Sequence, residues 1–435
     1  MAIHRLKNNQ AINMFISNII LIILLISFLV LDLFHHKNAS LEMPIIIYVF
    51  TITAFALGLA EFVPIGITDV MANGLGVNVE QTGSIIAAYA LGATFAAPVL
   101  TALTNGWSRK KTMLVTTIIF TLGSLVTAFA SSLTLMIIAR FVAGMGHGLF
   151  LAVASSTAAK LAGPERAGSA VAIVFGGFTI AMAIGVPLST YLGGVIDWRL
   201  VLGFIALFGA IGFVGLLIGM KDPLHADKKI VFSSKQEILT IFNPKLLSGA
   251  LVTVFAYAGS FAAYTYIASM LTEVTKISPT AVPMYTLLYG IFAAIGNVLG
   301  GKATDSMGVN KANIFIILGM IVTAFGMWIF IGSPIMMAVL VSLLGLFTFG
   351  AVPALQARLM AVAQKYAPNA DNVAAGLNIA GFNSAIAFGS ILGGLTISHV
   401  GLSFTGVTGA ILSAIGLMIL IAQIQKNIAI DAVKN

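Results

Sequence analysis

Three side chains capable of proton chemistry sit where the sequence is otherwise apolar. Glu61 is the only charge in "FALGLAEFVPIG" (55–66), and no other charged residue lies between Met43 and Thr68. Arg140 opens "RFVAGMGHGLFLAVAS" (140–155), and helical spacing places Gly144, His147 and Gly148 near its face, at i+4, i+7 and i+8. The surroundings of a carboxylate decide how it holds a proton: desolvation favours the neutral acid, a nearby guanidinium the anion. A group balanced between the two can take up and release a proton. An imidazole titrates near neutral pH. Each residue also has a purely structural role open to it. Arg140 could tether backbone carbonyls of neighbouring helices, His147 could be a hydrogen-bonded packing residue, and Glu61 with Arg140 could form a static pair.

The elements that must carry these residues follow from composition. The chain has 435 residues, 59% hydrophobic and 8% charged, whereas soluble domains carry roughly 25% charged residues. Apolar runs of 18 or more residues recur along the chain, the signature of membrane helices, and the alternation of a membrane β-barrel is absent from them. The fold class is therefore all-α and polytopic. Twelve core spans are expected, near 44–72, 80–104, 111–131, 132–156, 167–191, 198–219, 246–272, 277–300, 311–332, 334–363, 370–397 and 401–424. The longer polar segment 220–245 separates a first half, 44–219, from a second, 246–424, leaving a tail at 425–435. With the start of the first span in the cytoplasm, sixteen of the Lys and Arg residues fall on the cytoplasmic side and only Arg199 and Lys276 outside. That asymmetry places both core termini in the cytoplasm. It also accounts for the net charge of +8 without a nucleic-acid partner.

Residues 1–43 form a hydrophobic extension with three readings: an additional helix, a targeting-type segment, or residues upstream of a natural start at Met43. The third is favoured, because "MPIIIYVFTITAF" reads as a beginning.

The two halves echo each other at a shift of 200 residues. Tyr89 matches Tyr289, the loop 101–111 matches 301–311, and Gly193-Gly194 matches Gly393-Gly394. Duplicated halves in a polytopic helical protein point to a transporter with its site between the halves, near the midplane.

Depth can be read from the same spans. Glu61 lies 11 residues before the outer end of its span, and Arg140 lies 8 residues after the outer start of its own. A rise of about 1.5 Å per residue puts them about 16 and 12 Å below the outer surface. They are expected to meet, directly or through water. Pro64, three residues past Glu61, can loosen the helix there.

"RFVAGMGHGLFLAVAS", "AIGVPLSTYLGG" (183–194) and "LQARLMAVAQKYAPNADNVAAGLNIAGFNSAIAFGSILGG" (355–394) resemble the major facilitator superfamily, as do "ALGLAEFVPIGI" and "AAYALGATFAAPVL" in the first two spans. More narrowly, the chain is similar to the bacterial drug:proton antiporter-1 branch with its arabinose-efflux-permease-like members. The resemblance implies two six-helix pseudo-repeats in a bacterial plasma (inner) membrane. It also implies proton-coupled export of a small organic molecule (drug, nucleoside or sugar-like) by alternating access, in a monomer without cofactor.

Residue by residue, proton coupling falls to Glu61, Arg140 and His147. Tyr89, Phe150, Tyr257, Tyr266, Asn378 and Asn383 are the candidates for substrate contact, with core packing, helix-to-helix hydrogen bonding or an interfacial position as their other roles. Arg109, Lys110 and Asp305 are gating candidates in the loops after the second and eighth spans. The family's loop reads G-x-L-A-D-R-x-G-R-K, and here Leu103, Arg109 and Lys110 keep it. Asn105 and Gly106 replace its acidic residue and the Arg that follows. Gly185, Pro187 and Gly193 are expected to kink the fifth span and pack it closely, sealing it against proton leak or acting as a hinge.

Other classes fit less well. "GNVLGGKA" (296–303) nearly matches a phosphate-binding loop, but Ala303 replaces the hydroxyl that would hold magnesium and no strand precedes it. "HHK" (35–37) reads as a linker before it reads as a metal site, and no nucleophile–base constellation marks an enzyme. An uncoupled uniporter or sugar transporter remains the principal alternative. A non-transporting sensor would need a larger soluble output domain than the core loops provide.

Overall fold

The structure, a computed structural model, describes residues 43–100, 103–104, 107–162, 167–220, 239, 241–367 and 371–433. The extension assigned to 1–43 lies outside them except for Met43, as does most of the central segment 220–245. Within the described residues every regular element is helical, and twelve helices are long and apolar enough to cross a membrane.

These twelve spans are, in order, Ile45–Gly66, Val79–Leu100, Arg109–Phe129, Leu133–Ser155, Ile173–Gly193, Trp198–Gly219, Pro244–Tyr264, Pro279–Met307, Val309–Ile329, Pro334–Tyr366, Gly376–His399 and Leu402–Lys426. In hydrocarbon no water satisfies backbone groups, so each segment must close its own hydrogen bonds as a helix. The ends carry the polar caps. Asn78 and Gln81 form a capping box, and Ser108, Asp197, Asn243 and Ser333 accept from first-turn amides. Span one closes at Ile67, and a short helix, Thr68–Leu75, follows it. That helix ends on Gly76 at φ +65, a left-handed position that glycine adopts without strain.

The packing repeats itself. Span two lies against four, one against five and six, three against four and six; likewise eight against ten, seven against eleven and twelve, nine against ten and twelve. Two six-helix pseudo-repeats result. They join mainly where span two meets eleven and where span five meets eight. Spans three, six, nine and twelve turn apolar side chains outward, among them Leu122, Phe129, Leu207, Ile218, Phe315, Val322, Ile411 and Met418. Exposed apolar surface on this scale marks a lipid-facing wall.

Backbone contact between spans depends on missing side chains. A Cβ at Gly144 would stand 1.9 Å from the Tyr89 carbonyl oxygen, and one at Gly345 would stand 2.3 Å from that of Tyr289. The shift of 200 seen in the sequence therefore has a spatial counterpart at the same pair of tyrosines.

Candidate functional site

Glu61, on span one, is buried with 5% exposure, and its Oε2 lies 4.0 Å from His147 Nδ1 on span four. Among the described residues no other carboxylate comes within 4.0 Å of a basic side-chain nitrogen. His147 Nδ1 also lies 3.1 Å from the Tyr89 hydroxyl, which in turn donates to the Leu57 carbonyl at 3.3 Å. The imidazole is held between the rings of Tyr89 and Phe178, each with its centroid 5.4 Å away. Four spans thus converge on one buried carboxylate.

Arg140 neighbours this cluster without closing an ion pair to Glu61. Its Nε donates to the Ile85 carbonyl at 3.2 Å and its Nη1 to the Ala60 carbonyl at 2.5 Å. Its guanidinium lies over the Tyr89 ring, 4.2 Å from the centroid. Nη2 is buried without a partner. The Arg140 side chain reaches the depth of Glu61 on span one, through its bond to the carbonyl of the residue before it. The side chains, however, turn to different partners. Arg140 spends one donor on the Ala60 carbonyl, which Pro64 leaves without its helical amide, and another on the Ile85 carbonyl of span two, and the carboxylate faces an imidazole.

Rings extend the cluster across the join between repeats. Phe62, next to Glu61, contacts Phe178 of its own half at 6.4 Å, and Phe261 and Phe349 of the other half at 6.4 and 6.2 Å. Behind them Tyr264 stacks on Tyr289 at 3.7 Å with an interplanar angle of 12°. Tyr257 packs on Phe261 and Phe382 at 5.3 and 4.8 Å.

The other sequence candidates fall in several places. Tyr257 joins the ring cluster, and Tyr89 belongs with the ionisable groups. Phe150 is buried in the core, and the ring contacts of the cluster run through Phe62 and Phe178 instead. Asn378 and Asn383 on span eleven are buried, each with an unpartnered Oδ1, while Asn383 Nδ2 donates to the Ile379 carbonyl at 3.0 Å. Nearby, Ser384 donates to Thr94 Oγ1 at 3.3 Å, across the join. Tyr266 lies apart, beyond the break at the end of span seven. Its hydroxyl donates to the Ser390 carbonyl at 2.7 Å and approaches the Glu80 carbonyl of the other half at 3.5 Å.

The gating candidates are dispersed. Arg109 Nη1 donates to Thr157 Oγ1 at 2.8 Å, tying span three to four, and Lys110 Nζ donates to the Leu217 carbonyl at 3.1 Å near the end of span six. Asp305 is exposed. Span five has a π-helical turn at Ala181–Gly185, with Pro187 just beyond it. π turns of this kind kink helices and recur at functional sites. A Cβ at Gly185 would stand 2.3 Å from Leu59, and one at Gly193 would stand 2.6 Å from Ile67. Both glycines therefore let span five press against span one around Glu61. Asp69, past the end of span one, is half-buried, and burial pushes its carboxyl up from the ordinary range.

Phe62, Phe178, Ser260, Phe261, Thr348 and Phe349 were not candidates in the sequence, whereas Tyr264 stands with Tyr257 and Tyr266 on span seven as a residue able to line the other wall. Single aromatic and hydroxyl residues in apolar helices look like core. The repeat carried the only signal, because a shift near 200 puts Thr348 opposite His147 and Ser260 opposite Glu61.

Twelve apolar spans in two pseudo-repeats, with an acid, an imidazole and a guanidinium buried near the join, define a polytopic membrane protein of the transporter class. The chain belongs to the Major Facilitator Superfamily, whose family description matches residues 50–370 and 249–426. It is 35% identical over 372 residues to the MFS-type transporter YtbD of Bacillus subtilis (strain 168), covering 85% of this chain and 92% of that one. It is 33% identical over 381 residues to the inner membrane transport protein YdhP of Escherichia coli (strain K12), covering 86% of this chain and 95% of that one. Among solved structures, a mutant of the nucleoside transporter NupG superposes with a TM-score of 0.70 over 88% of this chain and 99% of that one. At 14% identity, that likeness speaks to the fold alone.

Proposed function

We propose that the chain is a proton-coupled exporter of a small organic molecule. It works as a monomer in a bacterial inner membrane, with both ends of the twelve-span core in the cytoplasm. The moving bodies are 44–219 and 246–424, linked by 220–245 and followed by the tail 425–435. The observation that carries this reading is Glu61: a buried carboxylate whose nearest basic group is an imidazole at 4.0 Å, while the neighbouring guanidinium is engaged with the Ala60 and Ile85 carbonyls. An acid locked to Arg140 would have little reason to exchange its proton. One facing an imidazole instead of a permanent cation, at the join between two bodies, can.

Phe62 supplies the link to conformational change. It sits on the helical turn of Glu61 and touches Phe261 and Phe349 of the opposite body. When the bodies rock, those contacts open and water reaches the carboxylate, favouring its ionised form. When they close, desolvation favours the protonated form. Substrate and proton then occupy the same opening in turn, which is the requirement for antiport. Arg140 and Tyr89 hold spans one, two and four in register while this happens. The π turn of span five, with Gly185, Pro187 and Gly193 against span one, is the hinge. Arg109, Lys110 and Asp305 act at the cytoplasmic face.

A second reading, uncoupled transport, draws support from the two carbonyl bonds of Arg140, which a purely structural arginine would also make. Proteoliposomes separate the two. With a pH gradient imposed, labelled substrate should move uphill in wild type and only equilibrate in Glu61→Gln. Uphill movement in both variants would leave the carboxylate without a coupling role.

A further inference from the structure

The pseudo-repeat lays the ionisable cluster of one half over a cluster of hydroxyls in the other. Gly144 against Tyr89 corresponds to Gly345 against Tyr289. Three residues beyond each glycine stand His147 and Thr348. His147 faces Glu61 on span one, and Thr348 donates to Ser260 Oγ on span seven at 2.8 Å. Glu61, Tyr89 and His147 are therefore mirrored by Ser260, Tyr289 and Thr348. All six are buried, with Ser260, Tyr289 and Thr348 at 0% exposure.

The hydroxyl cluster has unused hydrogen-bonding capacity. The Tyr264 hydroxyl is fully buried and has no partner, although its ring is fixed by stacking on Tyr289. The Tyr289 hydroxyl is fully buried beside Thr348. Asn378 and Asn383, on the span that packs against span seven, add two unpartnered carbonyl oxygens. Buried polar groups are ordinarily satisfied by protein or by something bound. Tyr264 and Tyr289 lie behind Phe261 and Phe349, the rings that meet Phe62 across the join.

The second half also lacks charge at this depth. No Asp, Glu, Lys, Arg or His occurs in 246–272, 277–301, 312–357 or 372–398. A cationic cargo would have to take Glu61 from its proton, and an anionic one would face the same carboxylate. Arg140 has two donors on carbonyls and its face on Tyr89.

We propose that Ser260, Tyr264 and Thr348, backed by the stacked pair of Tyr264 and Tyr289, form the polar contact for the cargo, and that the cargo is an uncharged molecule with a planar aromatic part and at least one hydrogen-bonding group. The proposal rests on the transport reading above and supplies its substrate class. The two halves then divide the work: the first carries the proton, the second recognises the cargo. The aromatic rings at the join, Phe261 and Phe349, take the cargo ring by offset or edge contact, and the unused hydroxyl and amide groups select against analogues that lack the polar group.

The test uses the purified full chain in detergent and a panel of aromatic probes: chloramphenicol and adenosine as uncharged compounds, ethidium as a cation, salicylate as an anion. Thermal unfolding and equilibrium binding are read for wild type, Thr348→Val, Thr348→Ser, Tyr264→Phe and Glu61→Gln. The expected result is stabilisation by at least one uncharged probe and by neither ion. Binding should weaken about tenfold, a loss equivalent to about 1.4 kcal/mol, in Thr348→Val and Tyr264→Phe. Thr348→Ser, which keeps the hydroxyl, should restore it and guards against simple misfolding. Stabilisation by ethidium or salicylate alone, by no uncharged probe, or without dependence on Thr348 and Tyr264 would overturn the proposal. Failure of proton coupling would show separately, as unchanged antiport in Glu61→Gln with these binding results intact.

Discussion

His147 presents one atom, Nδ1, both to the Tyr89 hydroxyl at 3.1 Å and to the Glu61 carboxylate at 4.0 Å. The hydroxyl fixes where the ring points, and the ring fixes what the carboxylate sees. Arg140 completes the arrangement from the other side of Tyr89, with its guanidinium 4.2 Å above that ring. The cluster is thus built on a tyrosine that carries the cation on its face and the imidazole on its edge.

Arg140 should be structurally demanding in a way a lysine cannot meet. It donates from two nitrogens to the carbonyls of Ala60 and Ile85 on different spans, and the planar fork makes that possible. Arg140→Lys should lose about 2–4 kcal/mol of stability, read by thermal unfolding in detergent. A variant as stable as wild type would place the bonds among those that contribute nothing measurable.

Glycine positions should separate sharply by what surrounds them. Gly144→Ala and Gly345→Ala would drive a methyl into the carbonyls of Tyr89 and Tyr289 and should cost about 1–3 kcal/mol or more. Gly301→Ala and Gly176→Ala meet nothing within 4 Å and should be neutral or stabilise by up to about 1 kcal/mol. Parallel melting curves decide it, and equal effects at all four sites would contradict the packing described.

Tyr266 and Gly83 should behave as a coupled pair across the join. A Cβ at Gly83 would stand 1.8 Å from the Tyr266 hydroxyl oxygen and 2.8 Å from the carbon bearing it. Gly83→Ala should therefore destabilise, and adding Tyr266→Phe should recover part of the loss. A double-mutant cycle measures the recovery, and strict additivity would mean the contact is not made.

Asp69 should give the pH dependence its sign. Burial raises its carboxyl above the ordinary range, which for a free aspartate lies near about 3.9. A raised group contributes stability that is fully present below the unfolded value and lost as pH rises through the folded value. Asp69→Asn should therefore gain on wild type as the pH is taken from about 4 to 7. Melting temperatures across that window that keep a constant difference would show the carboxyl is not desolvated.

Much of the fold was legible because lipid imposes it. Apolar runs had to be helices, and the shift joining Tyr89 to Tyr289 had to mean repeated packing. Glu61, Arg140 and His147 stood out because charge is rare at that depth. Their pairing was not legible: helical rise fixes depth along an axis but not the direction in which a long side chain turns, so Arg140 went to carbonyls and Glu61 to an imidazole. Tyr266 shows the same limit. Its place beyond the break at Thr265 follows from the turn at φ −111 and ψ 18, which no spacing announces. Ser260 and Thr348 were hidden for a different reason, since hydroxyls on apolar helices usually bond their own backbone.

The central claim is that the Glu61 proton is exchanged against cargo, and inverted membrane vesicles test it most directly. An inside-acid gradient is imposed, a panel of antibiotics, dyes, nucleosides and sugars is added, and wild type is compared with Glu61→Gln and His147→Gln. The account predicts that one compound class collapses the gradient in wild type, that Glu61→Gln abolishes the response, and that His147→Gln changes its pH profile. A response in Glu61→Gln equal to that of wild type would contradict it.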